Sequence, residues 1–406
     1  MVGMRDVAKK AGVSLSTVSL VVNASGYVSQ EMRRRVEQAM RELDYIPNEL
    51  ARNLYRGRTG MIGVIVPTLR HPFFATLVSA LQGRLAKHEL QTLLCSTADA
   101  DTGEAEYVSR LRRHMMDGII MAAHTDHPAD YWTSIGRPVV AFDRVLGDTI
   151  ATVRSDHEQG GRLVAEQLVR SGAHHVVMVG GPRSQFDDRG EGATTFPTVR
   201  YFQTLGERLD AAGIRHEYVA CGPVTDVEGY ARAVHLLFDR LSESRSGGSA
   251  GGSAHDSGVG DAGIPPFDAI VGSDVVAACA VKEAFAHGLN VPRDVQIIGY
   301  DGTCLVDCAG LTLTVIKQDF DTIAERLAAR IVDAVNEPEG RDHADADGLK
   351  DVNPADTEQP EPQPEPQPKG SKDSKGLQES KAPKGIAAVD IVPVSLHIGD
   401  TTLPIA

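Results

Sequence analysis

MRDVAKKAGVSLSTVSLVVN (4–23), ASGYVSQEMRRRVEQAMRELDY (24–45) and IPNELARNLYRGRTGMIGVIVP (46–67) follow one another directly. In the first segment Val7, Ala8 and Ala11 share one helical face, Gly12 suits a helix stop, and Ser14 is placed to cap a second helix beginning at Leu15. That second helix buries Val18 and Val21 and turns Leu15, Ser16, Ser19 and Leu20 outward. The small residues Ala8 and Gly12 let the two helices cross closely, as a helix-turn-helix requires, although a generic helical hairpin has the same pattern. Ser29 is placed to cap a third helix with Met32, Val36, Ala39, Met40 and Leu43 inward and Arg33, Arg34 and Arg35 partly exposed. Pro47 and Asn48 then open a short helix, ELARNL, that Gly57 stops. So short a helix does not persist alone in water. Leu50, Leu54, Arg52, Arg56 and Arg58 suit a minor-groove contact with an apolar wedge, or else a tether between domains.

Charge supports a division after this stretch. Residues 1–60 hold ten Lys/Arg against six Asp/Glu, a net of +4, within a chain of 406 residues and net charge −14, so the remainder carries −18. A basic head on an acidic body is oriented by a polyanion; a chance solvated face is the alternative. The body repeats short apolar strands followed by helical spacing: MIGVIVP (61–67), DGIIMAA (117–123), PVVAFD (138–143), HVVMVGG (175–181), FDAIVGS (267–273) and VQIIGYD (295–301). About ten such strands predict two doubly wound parallel sheets, with ligands bound beyond the strands' carboxyl ends. Those ends carry HPFF after residue 70, Asp143-Arg144, Ser273-Asp274 and Tyr300-Asp301. Residues 243–263 (Gly/Ser-rich) and 338–385 (Pro/Glu/Gln/Lys-rich) read as disordered surface insertions.

Composition excludes several classes. No run of 18 apolar residues supports a membrane span, and the N-terminal segment lacks a secretory apolar core, so a cytoplasmic protein is expected. Five cysteines, at 95, 221, 279, 304 and 308, have no Cys-x2-Cys spacing, which suits reduced thiols and no metal site. No cofactor is expected. Gly247-Gly248-Ser249-Ala250-Gly251 satisfies G-x-S-x-G, but inside a Gly/Ser segment with neither strand nor helix to hold the serine. Gly180-Gly181 is half of a dinucleotide loop, and His124, His127, His174 and His175 lack partners at metal spacing. An enzyme is not expected.

Taken together, DVAKKAGVSLSTVS, the ELARNL segment, HPFF, DGII, PVVAFDR, DHEQGG, GSDVVAA, VPRDVQIIGYDG and LTLTVIKQDF resemble the LacI/GalR family of bacterial transcription regulators over nearly the whole chain apart from 183–198 and the two insertions. The resemblance implies an α/β fold: a helix-turn-helix headpiece with hinge helix (1–59, hinge 48–55), then a two-lobed periplasmic-binding-protein-like core of doubly wound parallel sheets (60–406). Three crossings between lobes map onto a first lobe of about 61–156 plus 291–317 and a second of about 157–290 plus 318–406. The resemblance also implies a homodimer on palindromic operator DNA and a small effector, expected to be a sugar that releases repression. A co-repressed regulator answering a non-sugar metabolite and a sugar-binding protein without DNA function are the alternatives.

For DNA contact the resemblance assigns Leu15, Ser16, Thr17, Ser19 and Leu20 to the reading helix, Asn23, Tyr45 and Asn48 to backbone-contacting or structural positions, and Ala51 and Leu54 to the hinge, Leu54 as the wedge. A basic or amide side chain is common in the family where Leu20 stands, so contact with a thymine methyl is the available substitute. For the effector it assigns Phe73, Phe74, Asp143, Arg144, Asp274 and Arg200, with His71 where Asn is frequent. Counting back from LDAAGI puts Arg200 one residue early and Tyr201 in register. No leucine-heptad tail follows the last expected strand, in line with a dimer.

Overall fold

The structure, a computed structural model, describes residues 2–23, 25–47, 53, 57–99, 103–125, 127–186, 198–245, 266–337 and 388–404. The expected hinge helix 48–55 lies outside these residues except for Asn53, and the two low-complexity segments do so except for 243–245.

In the head, α1 (Met4–Ala11), α2 (Leu15–Val22) and α3 (Gln30–Glu42) form one small core of Val7, Ala8, Ala11, Val18, Val21, Val36 and Ala39. Gly12 ends α1 in the left-handed conformation, φ 63°, its N–H donating to the Ala8 carbonyl. Arg35 donates to the Ala11 and Gly12 carbonyls, so this arginine closes α1 on α3 and favours the negative end of the helix dipole. The Ser14 and Ser29 hydroxyls cap α2 and α3, accepting from the Thr17 and Met32 amides at 3.1 and 3.3 Å. Met32, expected inward, is 39% exposed, because α3 buries only the Val36–Ala39 side of its first three turns.

The body contains two six-stranded sheets. Its elements are β1 (Met61–Val66), α4 (Pro72–Ala86), β2 (Gln91–Ser96), α5 (Glu104–Arg112), β3 (Gly118–Met121), α6 (Ala129–Thr133), β4 (Val139–Phe142), β5 (Thr152–Ser155) and α7 (His157–Arg170). They continue with β6 (His175–Gly180), α8 (Val199–Ala211), β7 (Arg215–Ala220), α9 (Val227–Arg245), β8 (Ala269–Val271), α10 (Asp274–Ala286), β9 (Gln296–Asp301), β10 (Thr314–Lys317), α11 (Phe320–Asn336), β11 (Val389–Val392) and β12 (Ser395–His397). The first sheet has the order β11-β5-β4-β3-β1-β2 and the second β12-β10-β9-β8-β6-β7. All ladders are parallel except β10 with β12. Parallel strands need helices on both faces, which is why GIIM, VVAF and HVVMVG are apolar throughout and buried throughout.

The chain crosses between the sheets three times, at 155–157, 317–320 and 392–395. The lobes expected from sequence need correction after the first crossing. β9 and β10 belong to the second sheet, where Ala269 pairs with Gln296 and Ile298 with Thr314. α11 belongs to the first lobe, where Ile323, Ala324, Leu327, Ala328 and Ile331 join the core of β1, β4 and α4, and β11 pairs with β5. Residues 291–317 therefore complete the second lobe, 320–392 complete the first, and β12 returns to the second.

Two contacts fix the linker below the head. Asp117, at the start of β3, accepts from the amide and hydroxyl of Thr59 at 2.7 and 2.9 Å and from the Gly60 amide at 2.8 Å. Arg58 donates to the Val335 carbonyl and the Asn336 side chain at 2.8 and 2.7 Å, at the carboxyl end of α11. A cation there meets the unsatisfied carbonyls of the last helical turn.

Candidate functional site

On α2, Leu15 and Ser16 are exposed and Thr17, Ser19 and Leu20 are half-buried. All four hydroxyls on this helix are engaged: Ser14 Oγ lies 2.7 Å from Ser16 Oγ and 2.8 Å from Thr17 Oγ1, and Asn23 Nδ2 donates to Ser19 Oγ at 3.2 Å. Leu20 leans on the turn at Gly26, where an added Cβ would lie 3.2 Å from its Cδ2. Leu15, 45% exposed, is the apolar side chain most available on this face. Tyr45 packs against the head core instead. Asn48, Ala51 and Leu54 lie outside the described residues.

The second site is a cavity of about 160 Å³ between the carboxyl ends of the two sheets. The turn after β1 and the start of α4 bring His71, Phe73 and Phe74 to it, and β4 ends there at Phe142, Asp143 and Arg144. From the second lobe come Gly180 and Gly181 after β6, Tyr201 and Phe202 of α8, Ser273 before α10, and Tyr300 and Asp301 ending β9. Gln318 lines it from the crossing after β10, where Ser155 Oγ donates to its Oε1 at 2.6 Å and its Nε2 donates to Asp301 Oδ1 at 2.8 Å. Phe73 stacks on Phe142 with centroids 5.8 Å apart and packs on Phe320, so it is core and wall at once.

Charge in this cavity is held by buried relays. Asp143 Oδ1 lies 2.9 Å from His157 Nε2, and His157 Nδ1 lies 2.6 Å from the Tyr300 hydroxyl, which joins the end of β4 to the end of β9 across the lobes. The Arg144 guanidinium donates to the carbonyls of Ala123 and Asp143, and burial pushes it down to about 10. Burial, with Asp274 close by, lifts the Asp301 carboxyl well above the usual carboxylate range. Asp143 and Asp301 adopt positive φ, 46° and 131°, backbone conformations that L side chains hold only when their surroundings impose them, as ligand sites do.

Four of the six effector residues expected from sequence line this cavity: Phe73, Phe74, Asp143 and Arg144. Two do not. Asp274 is buried behind the wall, its Oδ2 accepting from the Thr303 amide and hydroxyl at 2.6 and 2.8 Å, while its neighbour Ser273 lines the cavity. Arg200 is exposed, and Tyr201 takes the inward position. Helical geometry decides the second, since one residue along a helix turns the side chain by about 100°, whereas Ser273 is the extended cap that precedes the helix starting at Asp274. His157 and Gln318 were not singled out from sequence, and their only signal is their place at the crossings in DHEQGG and KQDF. Among the described residues no group of three or more His, Cys, Asp or Glu is arranged to hold a metal ion, and no helix is long and apolar enough to cross a membrane.

Comparison with known proteins bears on the family of the chain. Residues 3–48 match the family model of bacterial regulatory proteins of the lacI family, residues 59–196 match periplasmic binding proteins and sugar binding domain of LacI family, and residues 165–346 match a periplasmic binding protein-like domain. The chain is similar to the ribose operon repressor of Halalkalibacterium halodurans, 31% identical over 82% of this chain and 91% of that one. It is also similar to the sucrose operon repressor of Pediococcus pentosaceus, 30% identical over 82% and 92%. Among solved structures, the lac repressor dimer bound to operator and the anti-inducer ONPF shares the fold with TM-score 0.67 at 22% identity, covering 99% of each chain. The regulator CelR in complex with cellobiose shares it with TM-score 0.57 at 21% identity, covering 99% of this chain and 100% of that one. The basic helical head, the two sheets crossed three times and the cavity between them are thus those of a regulator: the chain belongs to the LacI family of bacterial regulatory proteins.

Proposed function

We propose that this protein is a cytoplasmic, homodimeric transcriptional repressor of carbohydrate-utilisation genes, released from a palindromic operator by a small sugar. The domains on this reading are a DNA-binding head with hinge, residues 1–59, and an effector-binding and dimerising body, residues 60–406. The observation that carries it is one chain joining an exposed Leu15–Ser16 helix end to a buried, polar and aromatic cavity through a linker tied to the body at Asp117 and at the end of α11. Both named relatives are repressors of sugar operons, which supports the same role here.

On this reading Leu15, Ser16, Thr17, Ser19 and Leu20 face the major groove. Asn23, Tyr45 and Asn48 steady the head on the backbone, and Ala51 and Leu54 enter the minor groove. Phe73, Phe74, Asp143 and Arg144 bind the effector. A ligand bound between lobes that share three crossings changes their relative orientation, and the linker carries that change to the head. Selection of duplexes from a random pool by the full-length protein at fixed salt, with and without a mixture of monosaccharides and disaccharides, tests it. A palindrome enriched without sugar and lost with it is the expected result. Enrichment only with an added metabolite would make the protein co-repressed, and no enrichment under any condition would refute the reading. Leu54→Ala is expected to weaken the selected site far more than random DNA, since a wedge acts only on a deformable central step. Equal loss on both would remove the wedge role.

A further inference from the structure

Two polar atoms at the cavity have no partner among the described residues: the hydroxyl of Tyr201 and Nδ1 of His71. Both side chains are almost wholly buried, 2% and 6% exposed, and they stand on opposite walls, Tyr201 on α8 of the second lobe and His71 before α4 of the first. A buried donor or acceptor left unpaired is costly, and native proteins retain one where a ligand completes it.

We infer that Tyr201 and His71 are the specificity-determining pair of this cavity, and that its ligand is an uncharged, single-ring sugar whose hydroxyls bridge the two walls. The inference rests on the effector-binding role proposed above and narrows it in three respects.

The first is charge. The residue in register with the family's effector-binding arginine is Tyr201, while Arg200 points to solvent. Among the described residues lining the cavity Arg144 is the one arginine or lysine, and its guanidinium is committed to the carbonyls of Ala123 and Asp143. Asp143 and Asp301 face the same space. Burial drops the His71 imidazole to about 4, so it stays neutral at physiological pH. Among the described lining residues, a phosphate or carboxylate would meet acidic side chains and neutral donors, and the single guanidinium is already committed to backbone carbonyls.

The second is size. A cavity of about 160 Å³ is close to the roughly 150 Å³ of an engineered protein cavity that accommodates benzene, one six-membered ring. A second linked ring would reach out through its open side. The third is shape: Phe73 and Phe142 stack with their planes 21° apart as one apolar wall, and Asp143, Tyr201 and Asp301 line the same space, which suits a ring with one apolar face and equatorial hydroxyls.

The test uses the full-length protein, calorimetric titration and thermal unfolding. The probes are D-ribose, D-xylose, D-glucose and D-galactose, their phosphates D-ribose 5-phosphate and D-glucose 6-phosphate, the acid D-gluconate, and the disaccharides sucrose and cellobiose. At least one uncharged monosaccharide is expected to bind, at least tenfold tighter than the anions and disaccharides. Tyr201→Phe removes an unpaired hydroxyl, so it is expected to raise the ligand-free melting temperature by about 1–5 °C while weakening the sugar by about tenfold. A role in packing alone would not move those two readings in opposite directions. His71→Leu is expected to weaken the sugar similarly and His71→Asn, which keeps a polar group, to restore part of the affinity. Tighter binding of an anion, binding only of disaccharides, binding of no probe, or unchanged affinity in Tyr201→Phe would each overturn the inference. The duplex selection is scored separately. DNA selected without any monosaccharide bound overturns this inference and leaves the repressor standing, and a monosaccharide bound without DNA selected does the reverse.

Discussion

Replacing Asp117 by asparagine isolates the anchor of the linker. In the wild-type protein one carboxylate oxygen accepts from the amide and hydroxyl of Thr59 and the other from the amide of Gly60, all at 2.7–2.9 Å, with the side chain 6% exposed. Asparagine keeps one acceptor oxygen, so the Thr59 pair survives without charge assistance while the Gly60 N–H faces an amide that also donates. A buried unpaired donor costs about 1–3 kcal/mol, and the two bonds that lose their charged acceptor lose about 1 kcal/mol each, which together give about 3–5 kcal/mol. The single tryptophan, Trp132, is 1% exposed and belongs to the same apolar cluster as Met116, the residue before Asp117. Its fluorescence in a urea titration therefore reports the lobe that contains the anchor. With a slope of about 3 kcal/mol per M, the midpoint is expected to fall by about 1–2 M. Affinity for a selected operator should fall more than affinity for random DNA, because the head would lose its fixed departure from the body. An unchanged midpoint would refute the assigned hydrogen bonding. A lowered midpoint with operator affinity intact would show that the anchor serves the lobe and not the head.

Asp274 is held up to about 6 by burial, so its ionisation opposes folding: the stability of its protonated form is lost as pH rises through about 6. Asp274→Asn, which keeps an acceptor for Thr303, is expected to raise thermal stability at pH 7.5 by up to about 3 kcal/mol and to leave it unchanged near pH 4; a pH-independent difference would refute the cause. His235 on α9 and His287 at the end of α10 share Asp239 at 3.4 and 2.9 Å, and hydrogen bonding to the Glu283 side chain raises the His235 imidazole and bonding to the Glu283 carbonyl the His287 imidazole. Their contribution is present below about pH 6.5 and lost as pH rises through the raised values, so a variant with asparagine at both positions should flatten the thermal stability profile between pH 6 and 8. Arg330 grips Asp390 of β11 with two bonds at 2.7 and 2.9 Å. A double-mutant cycle with Arg330→Met and Asp390→Ala, read by urea unfolding, should give a coupling of about 1 kcal/mol, reduced by high salt; no coupling would leave β11 held by its ladder with β5 alone.

The parts of this fold legible in the sequence are those fixed within a few residues. Gly12 and the caps Ser14 and Ser29 act over three or four positions, and apolar runs such as HVVMVGG declare buried parallel strands wherever they pair. The assignment of strands to lobes was not legible, because VQIIGYD is as apolar as any strand of the first sheet and its partner β8 is set by long-range packing. In the cavity, Phe73, Phe74, Asp143 and Arg144 follow from a strand end or a helix start. Arg200 and Asp274 each stand one residue from a lining position, Tyr201 and Ser273, a difference too fine for a sequence pattern. The relay from Asp143 through His157 to Tyr300 joins positions 157 residues apart at its ends and leaves no local pattern.

β11 and β12 are separated by only two residues, yet each closes a different sheet. During synthesis, both lobes therefore wait for the same short stretch. Until residues 389–397 leave the ribosome, β5 keeps one edge open in the first sheet and β10 in the second, while the head, made some 340 residues earlier, already has every residue of its own core. An early stop before residue 389 would leave a DNA-binding head attached to two unfinished, aggregation-prone sheets.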